Sequence, residues 1–84
     1  MTYEQEFLQD FEAWIDSQIA VNEMAMAASR KLVEEDQDER AADAYIRYES
    51  KRDAYQFIRG KFDNYRSGKG FHEAPEGLVK KNTY

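Results

Sequence analysis

The first glycine of the chain is Gly60 and its single proline is Pro75. Fifty-nine consecutive residues therefore lack both of the residues that most readily interrupt a helix, which favours long helices over any strand-rich fold. The apolar pattern agrees. Phe7, Phe11, Trp14, Val21, Ala25, Ala28 and Leu32 recur at intervals of three and four, and Leu8, Ile15, Ile19, Met26 and Val33 widen that stripe. Glu4, Asp10, Glu23 and Arg30 occupy other faces. This period is helical. Thr2 followed by Gln5 has the spacing of a capping box and allows a start almost at the N-terminus.

The polar run at residues 34–40, EEDQDER, breaks the stripe, and Asp36 or Asp38 could cap a second helix there. An unbroken rod is the alternative, but it would need a coiled-coil partner along its whole length. The expected organisation is one domain over residues 1–84: a helix at about 3–35, a turn at 36–39, a helix at about 39–66, and an irregular tail at 67–84. Ser67 and Gly68 form the helix stop. In the tail, Phe71, Leu78 and Val79 could dock on the hairpin, Pro75 and Gly77 could shape a turn, and residues 80–84 read as loose. The fold class is all-α, an antiparallel two-helix hairpin.

In the second helix Ala41, Tyr48, Tyr55 and Phe62 recur every seven residues, with Ala44, Ile58 and Tyr65 in the neighbouring column. Arg52, Arg59 and Arg66 repeat at the same interval beside them, where a bundle places charges that pair with an adjacent helix. These arginines are the candidate basic flank. Residues 1–45 hold 12 acids against 3 bases, and residues 46–84 hold 5 against 9, an asymmetry that fits either two external partners or two halves that face each other. Two helices of roughly 30 residues make a hairpin about 45 Å long. Its apolar surface exceeds what one partner helix can cover, and Ile46 and Phe57 sit on the face opposite Tyr48 and Tyr55. A homodimer forming a four-helix bundle is expected, with Phe7, Phe11, Trp14, Ile46, Tyr48, Tyr55, Phe57 and Phe62 as candidate interface residues. Gln18 and Asn22, at or beside the stripe, either fix register or border water.

The stretches MTYEQEFLQDFEAWI at 1–15, EEDQDERA at 34–41 and RYESKRDAYQFIRGKFDNYRSGKGFHEAPEGL at 47–78 resemble a short, uncharacterised domain-of-unknown-function family of streptococci and related low-GC Gram-positive bacteria. The resemblance covers nearly the whole chain. It implies a small, all-helical cytoplasmic protein, and brings no catalytic residue, cofactor or partner.

Little chemistry is legible. There is no cysteine, which removes disulfides, thiolate metal sites and cysteine nucleophiles. The one histidine, His72, lies outside both helices and lacks the Glu-x-x-His spacing of di-metal bundles. Ser67–Gly70, SGKG, lacks the spacing of a phosphate loop and follows a helix, whose C-terminal dipole has the wrong sign for phosphate. No G-x-S-x-G elbow occurs. No catalytic residue, cofactor or metal is expected, and the chain does not read as an enzyme. No leader pattern and no uncharged run of membrane-spanning length is present, so a cytoplasmic protein without membrane contact is expected. Bases and aromatics do interleave from Arg47 to Arg66, as in proteins that stack on single strands. The net charge of −5 and the heptad placement of the aromatics disfavour nucleic acid. Another protein is the remaining candidate partner. The leading expectation is a non-enzymatic, homodimerising interaction or regulatory module; the alternative is a nucleic-acid-associated factor using Arg52, Arg59 and Arg66.

Overall fold

The computed structural model describes residues 1–73 and contains two antiparallel helices, α1 (Tyr3–Asp36) and α2 (Glu39–Ser67). Each ends within a residue of where its polar signals place the boundary. At the start of α1, Thr2 Oγ1 accepts from the Gln5 amide at 3.2 Å, and Gln5 Oε1 accepts from the Thr2 amide at 2.9 Å. That reciprocal pair satisfies two otherwise orphaned donors. α1 stops because Gln37 turns left-handed (φ 51°), its amide donating to Val33 O at 3.0 Å. Asp38 then caps α2, its Oδ1 accepting from the amides of Arg40 and Ala41 at 2.9 and 3.3 Å. Two residues reverse the chain. α2 ends at Gly68, whose φ of 76° is the left-handed conformation that glycine adopts without a Cβ penalty.

The segment after α2 turns back against its own helix. Lys61 Nζ donates to Phe71 O at 2.8 Å, and the buried Asn64 donates through Nδ2 to Glu73 O at 2.7 Å. Phe71 itself stays largely exposed, with the His72 ring edge-on to it. The expected docking of Leu78 and Val79, the turn at Pro75 and Gly77, and residues 80–84 all lie outside the described residues.

The seam between the helices differs from the strongest apolar stripe of α1. The buried residues of α1 are Glu12, Ile15, Asn22, Met26 and Ser29, with Ile19 and Val33 half-buried. Phe7, Phe11, Trp14, Val21 and Leu32, one position back around the helix, are exposed. The reason is chemical. Three seam positions are polar: Glu12 meets arginines from α2, Asn22 bonds within its own helix, and Ser29 is small. Facing them on α2 are the buried Ala41 and the half-buried Tyr48, Arg52, Tyr55, Arg59 and Phe62. The only buried apolar side chains among the described residues are Ile15, Met26 and Ala41. The result is a ribbon 12 Å thick, one helix deep.

Candidate functional site

Antiparallel packing gives the ribbon two unlike faces. A helix advances about 100° per residue, so the residue preceding each seam position lies roughly a quarter-turn from the seam. In two antiparallel helices that quarter-turn falls on the same side. On α1 this ridge reads Phe7, Phe11, Trp14, Gln18, Val21, Ala25, Ala28, Leu32; on α2 it reads Arg40, Ala44, Arg47, Lys51, Ala54, Ile58, Lys61, Tyr65. One face thus pairs an apolar ridge with a basic one.

The aromatics of this face touch in sequence. Ring centroids lie 6.2 Å apart from Tyr3 to Phe7 and from Phe7 to Phe11, and 6.3 Å from Phe11 to Trp14. Two edge-on contacts join the row to the seam beneath it, Phe11 to Phe62 at 5.3 Å and Trp14 to Tyr55 at 5.7 Å. Yet Phe7 remains 54% exposed and Trp14 50%. At the open end of the hairpin the face deepens into a groove of about 620 Å³, lined by Leu8, Phe11, Ile58, Phe62, Tyr65 and Phe71 and rimmed by Phe57 and Lys61. The Lys61 ammonium stands 5.0 Å from the Phe57 ring and 4.6 Å from that of Phe71.

The other side carries the ion pairs. Arg59 reaches Asp63 at 2.6 Å, Asp16 at 2.8 Å and Glu12 at 3.1 Å. Arg66 grips both carboxylate oxygens of Glu12. Arg52 lies 3.1 Å from Asp53 and 3.8 Å from Glu23, and Arg30 donates to the Tyr45 hydroxyl at 2.8 Å. Burial alone would lower the Arg59 pKa, but hydrogen bonds and charge from Asp63 and Asp16 outweigh it and hold the group above the ordinary arginine value. In contrast Arg40, Arg47, Lys51 and Lys61 make no ion pair within 4 Å among the described residues.

The eight residues expected at an interface therefore fall into three groups. Phe7, Phe11 and Trp14 form the exposed aromatic row. Tyr48, Tyr55 and Phe62 are half-buried in the hairpin's own seam and form its floor. Phe57 and Ile46 are both exposed, but Phe57 rims the groove whereas Ile46 lies outside it, roughly a third of a turn or more from the basic ridge. Eleven residues apart on α2, Ile46 and Phe57 project within about 20° of each other around the helix but about 16 Å apart along it. The arginines expected beside the seam are engaged there: Arg52 and Arg59 are part of it, and Arg66 closes its open end. Arg47, Lys51 and Lys61 are among the bases that interleave with aromatics in the sequence, but a ridge of Arg40, Arg47, Lys51 and Lys61 was not separated from Arg52, Arg59 and Arg66; its signal was Arg40, Arg47 and Lys61 one position behind the tyrosine heptad and Lys51 one behind Arg52.

Among the described residues no cluster of three His, Asp or Glu side chains could hold a metal ion, and no helix is long and apolar enough to cross a membrane. No curated protein matches the sequence. SPY1572, a protein of unknown function from Streptococcus pyogenes whose crystal structure is known, superposes with a TM-score of 0.80 at 59% identity, over 90% of this chain and 99% of that one. At that identity the likeness extends to sequence as well as fold. The model of one family, a domain of unknown function (DUF1912), matches residues 1–84, and the chain belongs to that family.

Proposed function

We propose that the chain is a non-enzymatic interaction module of the cytoplasm that works as a homodimer, two hairpins packed through their aromatic faces into a four-helix bundle. The observation that carries this reading is the exposed row Phe7, Phe11, Trp14 and Val21 on a hairpin whose only buried apolar side chains among the described residues are Ile15, Met26 and Ala41. Contiguous apolar surface of this kind, rimmed by charge, marks an interaction site on a soluble protein. A second layer would cover it and enlarge the small core that the described residues form. The nucleic-acid reading loses its original cations, because Arg52, Arg59 and Arg66 already face carboxylates.

Light scattering tests the proposal. At tens of micromolar the wild type is expected at twice the 9.9 kDa chain mass. Phe7→Glu and Val21→Glu place a charge on the face and are expected to give monomers. Ile46→Glu, on exposed surface outside the groove, is expected to stay dimeric. A monomeric wild type would end the proposal, and steeply salt-dependent binding of that monomer to generic nucleic acid would favour the alternative.

A further inference from the structure

Resting on that reading, we infer that the two-fold axis of the dimer runs along the helices, so that both turns lie at the same end and α1 of each copy covers α2 of the other. Symmetry then leaves no freedom of register, because every residue stays at its own level along the bundle. The levels are fixed within the hairpin by Asp16 with Arg59, Glu23 with Arg52, and Arg30 with Tyr45. The same spacing relates α1 of one copy to α2 of the other.

Placed this way the ridges match. Arg40 meets Glu35 of the partner subunit, opposite charges at the turn end. The long stems of Arg47 and Lys51 fall over Ala28 and Ala25 of the partner subunit. Small Ala44 and Ala54 receive Leu32 and Val21 of the partner subunit. Lys61 comes onto Trp14 of the partner subunit, where an indole face attracts a cation. The basic ridge, which makes no ion pair within 4 Å among the described residues, thereby gains carboxylate, aromatic and small-residue neighbours.

An axis perpendicular to the helices would stack like on like. Side-chain volume tolerates that arrangement, since Phe11 could lie over Leu32 and Lys51 over Ala54. Charge does not. α2 would lie on α2, and Lys51, near the middle of a helix spanning Glu39–Ser67, would stand within one helical turn of its own copy, with Arg47 about a turn beyond. Like charges so placed repel, and negative design of this kind selects orientation in helical bundles.

The sequence lacks cysteine, so a single introduced thiol can carry a spin label. Gln37→Cys places it in the exposed turn, and Asp36→Cys repeats the measurement from ordinary helical backbone. Pulsed dipolar spectroscopy on the dimer is expected to give one label–label distance below about 30 Å, because neighbouring helix axes in a bundle lie only about 10 Å apart. A distance of about 45–50 Å, one helix length, would overturn the arrangement while leaving the dimer intact. Absence of dipolar coupling together with a monomeric mass would overturn the dimer itself, and the arrangement with it.

Discussion

At the scale of single residues the seam is governed by Glu12, a carboxylate only 8% exposed, lying between Leu8 and Ile15 in sequence spacing and held by Arg59 and Arg66. Such a cluster fixes which levels of the helices meet more than it adds stability, because burying the charges offsets much of their attraction. The Arg59 side chain keeps Asp16 and Asp63, and that of Arg66 is more than half exposed and can turn to water. Glu12→Leu is therefore expected within about 1 kcal/mol of the wild type in urea denaturation, whereas Glu12→Ala, which leaves a gap, loses about 1–3 kcal/mol. Equal losses for both variants would mean that the ion cluster itself, not the filling of the seam, holds this end together. Since the Arg59 pKa is raised, its contribution is fully present below the ordinary arginine value and is lost only as pH rises through the folded one. Asn22 has no comparable role. It is buried, but its Nδ2 donates to Gln18 O in the same helix at 2.7 Å, so that bond sets no register across the seam.

At the scale of elements, the turn shows what short-range chemistry determines. Asp38→Ala removes the acceptor of two amides and is expected to lower stability by about 1 kcal/mol. Gln37→Gly relieves a left-handed residue that bears a Cβ and is expected to raise it by up to about 1 kcal/mol. Thermal denaturation followed by far-ultraviolet circular dichroism checks both, and a neutral Asp38→Ala would show that the reversal is held by the seam rather than by the cap. The capping box, the acidic break and the Ser-Gly stop were all legible because each is a local signature. The left-handed Gln37 was not, since glutamine carries no turn signal and the backbone there is dictated by closing the hairpin. The seam was obscured for a different reason. Periodicity finds the most apolar stripe of α1, and here that stripe faces outward while polar Glu12, Asn22 and Ser29 occupy the inner one. Reading the arginine heptad of α2 against the carboxylates at positions 12, 16 and 23 would have located it.

At the scale of the whole molecule, the decisive fact is thinness. A single layer has no interior beyond its seam, and that seam buries Ile15, Met26 and Ala41 as its only fully sheltered apolar side chains among the described residues. The composition made excess apolar surface foreseeable, but which side of the ribbon bears it depends on how the helices turn their ridges, a property of packing. If the second layer is another copy, unfolding and dissociation are coupled, and stability depends on concentration by mass action. Raising the concentration roughly a hundredfold strengthens the folded dimer by about 2.7 kcal/mol and is expected to raise its Tm by about 5–10 °C. In Val21→Glu that dependence should flatten and the low-concentration Tm should change little, because Val21 is 57% exposed in the hairpin and the substitution removes only the second layer. A wild-type Tm that stays fixed over the same range, read by calorimetry or circular dichroism, would mean that the hairpin stands by itself. Its aromatic face would then be kept for a different protein, and the basic ridge of α2 would make an acidic, amphipathic helix the chemistry to look for.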